Sequence, residues 1–223
     1  LLNYLALMAY PPIKEEEKFT FSELVKEFDI SRVNLGGSIF DMEKLNWLNG
    51  RYLREERTPQ QILSEMKQWL VNDEQFLQII SLLQKRMETL GDFMPKAAFF
   101  FAREAVSTEE ELLPKGREAG ELSQMFQTAV WALDGSVEWD TESIESKVRM
   151  VADYWGWPVR DVTVPLTVAL TGSRVGPPLF ETVILLGVDI VRMRLLKGIE
   201  TLGGLSKKKA KKLEKEWGKS DLH

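Results

Sequence analysis

The densest group of side chains able to hold another molecule lies in residues 40–53. Lys44 supplies a cation, Trp47 an aromatic face and Asn49 an amide, all within two turns of a predicted helix. Such groups suit contacts to sugars and phosphates and stacking on bases. The alternative is a helix capped by Asp41 with a buried tryptophan, and the residue pattern alone favours this alternative.

Arg86 is the second candidate, near the end of a helix predicted over residues 73–90. A cation there interacts favourably with the negative end of the helix dipole. The same planar fork of donors could instead bind a base edge or a phosphate. Taken without further context, the position favours the dipole contact.

A glycine- and proline-rich turn over residues 170–179 is the third candidate and contains Gly172, Arg174 and Pro177. Leu179 follows and opens the next predicted helix. Backbone N–H groups at such a helix start can hold a phosphate. The spacing is not that of a Walker loop, and most turns of this kind are simple connectors.

Catalytic residues are not predicted, because the side chains that most active sites need are missing. The chain has no cysteine and a single histidine, His223. Thiolate zinc sites and cysteine nucleophiles are thereby excluded, and histidine-dependent triads and metal motifs nearly so. No carboxylate pair stands out. We therefore expect no catalytic residue and no metal ligand.

Composition and charge fit an ordinary globular protein. The 223 residues are 44% hydrophobic and 28% charged, which allows one large or two small domains. The net charge is −5, but residues 192–223 hold ten Lys/Arg against four acids, a balance of +6, so residues 1–191 carry −11. This basic tail reads as a solvated terminal helix. No apolar stretch approaches the ~20 residues that cross a membrane.

Helical periodicity dominates the chain, so the predicted fold class is mainly α. Residues 19–21 and 38–41 are candidate short strands, and residues 162–168 suit a strand or a helix start equally. Helix starts are predicted at Thr58, Thr141 and Ser206. The domain boundary is placed near residue 98.

Three segments together resemble the C-terminal half of bacterial-type glutamyl-tRNA synthetases, which are class I enzymes. The first is Leu2-Asn3-Tyr4-Leu5-Ala6-Leu7. The second is Phe40-Asp41-x-x-Lys44-Leu45-x-Trp47-x-Asn49-x-x-Tyr52. The third is Pro165-Leu166-Thr167-Val168-Ala169-Leu170-Thr171-Gly172, with Gly176-Pro177-Pro178-Leu179, Leu185-Leu186-Gly187 and Arg194-Leu195 after it.

The resemblance implies a two-part fold and a partner. Residues 1–98 would form a helical stem-contact domain and residues 99–223 an all-helical anticodon-binding domain with a basic tail. The intact enzyme would join glutamate to tRNA with ATP, whereas this chain would bind tRNA, hold no cofactor and do no chemistry. The leading Leu1 reads as a cut in a longer protein. We further expect a cytoplasmic monomer that contacts no membrane.

Individual roles are implied residue by residue. Arg86 falls where the family places an arginine that reads the third anticodon base, which reverses the preference for the dipole contact. Leu179 matches a leucine that packs against an anticodon base. Thr167 stands where the family commonly has arginine, and nearby Arg174 could replace that contact. Lys44, Trp47 and Asn49 would hold the stem, and Gly172 and Pro177 belong to the anticodon-side turn.

Two other functions stay open. One is a freestanding tRNA- or RNA-binding protein that lacks a catalytic domain. The other is a helical protein-interaction scaffold that has lost tRNA binding, for which the Thr167 departure and the acidic body are the best support.

Overall fold

The computed structural model describes residues 1–13, 16–34, 36–37, 39–70, 73–136 and 138–219. His223 and residue 38 of the second predicted strand lie outside these ranges. The chain divides into two compact units, Leu1–Val71 and Asn72–His223. Each unit is described by itself.

The first unit contains four α-helices among its described residues: α1 (Leu2–Ala9), α2 (Phe21–Glu27), α3 (Met42–Glu56) and α4 (Pro59–Leu70). Its small core is formed by Tyr10, Ile13 and Phe19, which are nearly fully buried. The predicted helix starts are confirmed. The Asp41 carboxylate accepts from the Lys44 N–H at 3.0 Å, and the Thr58 N–H donates to the Gln61 side chain at 2.9 Å.

The two candidate strands are not found. Thr20 instead caps α2, because its hydroxyl accepts from the Glu23 N–H while the Glu23 carboxylate accepts from the Thr20 N–H. Residues 39–41 form no strand, and the described part of the chain contains only one isolated bridge, between Ile13 and Glu16. The capping groups outweigh the short aromatic alternation that suggested a strand.

The second unit is built from nine α-helices within its described residues. They are α5 (Asp73–Leu83), α6 (Phe93–Phe101), α7 (Glu109–Leu112), α8 (Ala119–Asp134), α9 (Thr141–Trp155), α10 (Val159–Thr171), α11 (Leu179–Leu186), α12 (Val188–Thr201) and α13 (Lys207–Trp217). Helices α8, α9, α10 and α12 enclose the core, whose centre includes fully buried Phe126, Ile144 and Leu195. The starts predicted at Thr141 and Ser206 are confirmed to within a residue.

The helix predicted over residues 73–90 is shorter than expected. It ends at Leu83, and a 3₁₀ turn, Gln84–Arg86, follows. The Asp92 carboxylate accepts from the Glu88 and Thr89 N–H groups at 2.8 and 2.9 Å, which holds this segment outside the helix. Residues 162–168 lie inside α10, so the helical alternative is the right one there.

The two units divide between Val71 and Asn72, whereas the sequence predicts a domain boundary near residue 98. Ile79 and Leu83 of α5 and Ala97 of α6 form a buried cluster that contacts Leu185 of α11. Residues 73–98 therefore pack with the second unit, whereas the predicted boundary lies near residue 98. The division of the chain at residue 98 into a stem-contact part and an anticodon-binding part stays a prediction.

Gly198 of α12 lies against Phe126 of α8. A Cβ atom at this position would lie 2.8 Å from Cε2 of Phe126, a fully buried ring, so the ring would have to shift. We expect Gly198→Ala to lower the free energy of unfolding by about 1–3 kcal/mol through overpacking. Urea unfolding followed by circular dichroism measures this change.

Gly120→Ala is the matched control for this prediction. Gly120 lies in α8, and an added Cβ would meet no atom within 4 Å. Alanine is the better helix former, so this variant should unfold at an equal or higher urea concentration. Equal midpoints for the two variants would contradict the close packing of α12 on α8.

Candidate functional site

A cleft of ≈ 400 Å³ opens in the second unit where three segments meet. It is lined by the end of α5 with its 3₁₀ turn, by α6, and by the turn that follows α10: Leu83, Arg86, Pro95, Lys96, Phe99, Thr171, Ser173, Val175, Gly176 and Pro177. The structure thus brings Arg86 and the glycine-proline turn, two separate sequence candidates, to one open site.

Arg86 offers a free guanidinium to this cleft. Its side chain is exposed, and within the described residues it forms no hydrogen bond and no ion pair. Lys96 lines the same cleft from α6 and is also exposed. Two cations and Phe99 in one cleft favour a ligand that is anionic or electron-rich and has a flat ring.

The turn after α10 has a defined shape. Gly172 ends the helix in the left-handed region at φ +74°, and a Cβ there would lie 3.0 Å from the carbonyl oxygen of Val106. The Thr171 hydroxyl accepts from the Ser173 N–H at 3.3 Å, and Pro177 is buried. The backbone conformation at Gly172 and the Thr171 hydroxyl therefore both hold this wall of the cleft.

Thr167 supports the turn from below. Its hydroxyl donates to the Thr163 carbonyl at 2.9 Å, and its methyl group would lie 3.2 Å from a Cβ placed on Gly176. Leu179 begins α11 and is half-buried against the core, outside the lining of the cleft. The position at which the resemblance expects an arginine thus contributes packing.

Arg174 does not line the cleft. Its guanidinium donates to the carbonyls of Glu110, Glu111 and Leu113 at 2.9, 3.1 and 3.2 Å, at the carboxyl end of α7. These carbonyls have no partner within the helix. A contact from Arg174 to tRNA would have to break this cap, and its role as a substitute contact stays a prediction.

Arg194 is a residue whose role sequence reasoning missed. It is only 1% exposed and donates to the Phe99 carbonyl at 2.6 Å and to the carbonyls of Ala102 and Leu170. Burial lowers the pKa of Arg194 to about 10, so the side chain is still charged at neutral pH. It ties the ends of α6 and α10, two walls of the cleft. An arginine within the apolar stretch of α12 was the available signal.

The candidates of the first unit lie on α3. Trp47 is 46% exposed, so the predicted buried tryptophan is wrong; Leu48, at 2%, occupies the core instead. The Arg51 guanidinium lies over the Trp47 ring at 5.5 Å. Asn49 is exposed and lines a second cleft, of ≈ 540 Å³.

The cations around Trp47 are paired with acids. Lys44 contacts Glu17 at 2.6 Å. Arg51 and Lys18 both bind Glu55, at 2.8 and 2.9 Å, and together they lower the pKa of that carboxyl to about 2. Trp47 and Asn49 are therefore the exposed groups of this surface that carry no paired charge. Lys44 could contact a ligand only by leaving Glu17.

The described residues contain no cluster of three His, Cys, Asp or Glu side chains that could hold a metal ion. In the same part of the chain, no helix has the length and apolar character needed to cross a membrane.

A family model for the anticodon binding domain matches residues 61–199. The chain belongs to the anticodon binding domain family. The matched range contains Arg86, Lys96 and the whole turn after α10, and thus every residue that lines the cleft. The first-unit candidates Lys44, Trp47 and Asn49, and the terminal helix α13, lie outside the match.

The relatives confirm the resemblance to glutamyl-tRNA synthetases that the three segments indicated. The glutamate–tRNA ligases of Saccharophagus degradans and Stutzerimonas stutzeri are each 38% identical to this anticodon-binding chain, over 97% and 96% of its length. The chain spans 43% of the length of each. A crystal structure of a glutamate tRNA ligase from Elizabethkingia meningosepticum has a TM-score of 0.54 and 29% identity, over 90% of this chain and 40% of that one. The mainly α fold class is confirmed.

Proposed function

We propose that this chain is the tRNA-recognition part of a glutamate–tRNA ligase, an enzyme that charges tRNA with glutamate using ATP. The observation that carries the proposal is the cleft inside the family-matched range, where the exposed Arg86 guanidinium, unpaired among the described residues, lies beside the turn after α10. The names of the relatives support the choice of glutamate.

The cleft would read an unpaired anticodon base. Such bases can be splayed out and recognised on their edges. Arg86 would donate two hydrogen bonds to the edge of the third base, while the ring of Phe99 and the ring of Pro177 supply apolar walls. A wrong base would leave donors of Arg86 unpaired, at a cost of about 1–3 kcal/mol. Leu179 would pack on a neighbouring base.

The first unit would hold the stem. Trp47 and Asn49 are open to a sugar–phosphate backbone, and Lys44 would exchange Glu17 for a phosphate. That exchange is inexpensive because both partners of the ion pair are more than a third exposed. The stem-contact part and the anticodon part would thus use different chemistry. Because Arg86 lines the cleft, the anticodon part would begin before residue 98.

The intact enzyme would carry its ATP site and its chemistry outside this chain. The residues here would bind and position tRNA and would take no part in adenylate formation. We propose that the chain acts in the cytoplasm as a monomer and needs neither cofactor nor metal for tRNA binding.

Titration of the 223-residue chain with tRNA tests the proposal. We expect glutamate tRNA to bind about 10- to 100-fold more tightly than the same tRNA with its third anticodon base replaced, as a single bidentate base contact allows. Fluorescence anisotropy measures both affinities. Equal binding would remove the anticodon-reading role and favour a general RNA-binding protein. Binding of neither RNA would favour the protein-interaction scaffold.

A further inference from the structure

The terminal helix α13 is firmly seated on the second unit. Leu213 and Trp217 are 3% and 6% exposed, and Ala210 lies on the same side of the helix. The Trp217 ring packs edge-on against Tyr154 of α9 at 4.9 Å between centroids. The helix is therefore an integrated element with one inner face and one outer face, rather than a frayed end.

The outer face is almost entirely lysine. At about 100° per residue, five lysines fall within an arc of about 140° directly opposite Leu213 and Trp217. We call this set the lysine face: Lys207, Lys208, Lys211, Lys212 and Lys215, all exposed. Among the described residues, the one ion pair made by this set is between Lys212 and Glu216, at 3.6 Å.

This arrangement disfavours the helix that carries it. Lys207 and Lys211, Lys208 and Lys212, and Lys211 and Lys215 are like charges one turn apart, which repel each other. The first turn contains lysines and no acidic residue, which opposes the helix dipole. Helix stability therefore does not account for the lysine face, and such departures from local preference are expected where a surface has a partner.

We propose that the lysine face binds the sugar–phosphate backbone of the tRNA, without reading its sequence. This inference rests on the proposed function. A row of exposed ammonium groups can contact a row of phosphates. Each such contact releases condensed counterions, which favours binding. The rest of the chain needs such a patch, since residues 1–191 carry a net charge of −11 and repel RNA as a whole.

Two other partners fit the surface less well. A membrane-bound amphipathic helix inserts apolar residues, whereas the apolar residues of α13 face the protein and are buried. Protein interfaces are depleted in lysine and depend on aromatic and arginine anchors, and the lysine face has neither. RNA backbone contact requires only positive charge on a fixed support.

The test compares two triple variants that remove the same charge. The first, Lys207→Gln, Lys211→Gln and Lys215→Gln, removes one row of the lysine face. The control, Lys26→Gln, Lys67→Gln and Lys115→Gln, removes three exposed lysines elsewhere. Glutamine keeps the helix propensity of lysine. The affinity for glutamate tRNA is measured by anisotropy between 50 and 200 mM salt, with circular dichroism to follow folding.

We expect the slope of log affinity against log salt to flatten by roughly 2–3 in the α13 variant, about 0.7–0.9 for each lost phosphate contact. The wild type should therefore lose roughly 20- to 40-fold more affinity than this variant over that salt range. The control should keep the wild-type slope, and the preference for the glutamate anticodon should be the same in all three proteins.

Three results would overturn the inference. The first is an unchanged slope in the α13 variant, and the second is an equal flattening of the slope in the control. The third is an α13 variant that loses binding to phosphatidylserine vesicles but keeps its affinity for tRNA. If the wild type binds tRNA with anticodon preference and the α13 variant does too with the same slope, only the lysine face is refuted. If the wild type does not bind tRNA, the proposed function fails with it.

Discussion

Replacing Arg194 with methionine should lower the free energy of unfolding of the second unit by about 3–5 kcal/mol. Methionine fills much of the same volume, but it donates no hydrogen bond. The carbonyls of Phe99, Ala102 and Leu170 would then lose a charged donor at the ends of two helices. Each buried carbonyl left without a partner costs about 1–3 kcal/mol. Chemical denaturation of the 223-residue chain measures the loss.

Arg192→Met is the matched control, two residues away on the same helix. Arg192 binds Asp134 at 2.8 Å, but its side chain is 44% exposed. Exposed ion pairs contribute about 0–1 kcal/mol, so this variant should be nearly as stable as the wild type. Arg194→Lys should be intermediate at best, because one ammonium group cannot reach three carbonyls. Similar losses at positions 192 and 194 would contradict the account of Arg194 as the tie between α6 and α10.

Replacing Arg86 with glutamine should reduce discrimination at the third anticodon base by about 10- to 100-fold, the range expected for one bidentate contact. Affinity for the altered tRNA should change much less, since the guanidinium makes no productive contact with the wrong base. Folding should be unaffected, because Arg86 is exposed and, within the described residues, leaves no partner behind. The measurement is the ratio of the two dissociation constants at one fixed salt concentration.

Lys85→Gln controls for charge in this experiment. Lys85 belongs to the same 3₁₀ turn and is exposed, but it does not line the cleft. Its loss should weaken binding to both tRNAs equally, through electrostatics alone. If Arg86→Gln also weakens both equally, Arg86 contacts the backbone and not a base edge.

These two arginines illustrate different uses of the same side chain. Arg194 is buried and donates to backbone carbonyls, so it acts on the cleft only through the two walls that it holds. Arg86 is exposed and makes no hydrogen bond within the described residues, so its five donors can serve a ligand. Replacing Arg194 should therefore lower the stability more than the specificity. Replacing Arg86 should lower the specificity more than the stability.

Much of the local structure could be predicted from short-range chemistry. The caps at Asp41, Thr58 and Ser206 each depend on a side chain and an N–H group three residues away. Gly156 and Gly172 end helices in the left-handed region, as their places after apolar runs indicate. Where the helix prediction was wrong, a competing local contact was the cause. The Asp92 carboxylate accepts from the Glu88 and Thr89 N–H groups, four and three residues before it, and keeps them out of the helix predicted to reach residue 90.

The site was only partly predictable because its residues lie far apart in the sequence. Arg86 and the turn at Gly172–Pro177 were separate candidates with some eighty residues between them, and no local pattern relates them. Burial was equally out of reach, because Trp47 and Leu48 are adjacent and only packing decides which one enters the core. The hydrogen bonds from Arg174 to the carbonyls at the end of α7 also follow from no local pattern, and its tRNA contact stays a prediction.

The sequence by itself determined four properties, because each depends on residue type or on neighbours along the chain. They are the helix content, the helix starts, the lack of cysteine and internal histidine, and the family resemblance. The tertiary structure alone decided that Arg86 is exposed and Arg194 buried, and where the cleft opens. It also showed that the lysines of α13 face away from the protein. These properties depend on contacts between residues far apart in the chain, and such contacts form only when the helices pack.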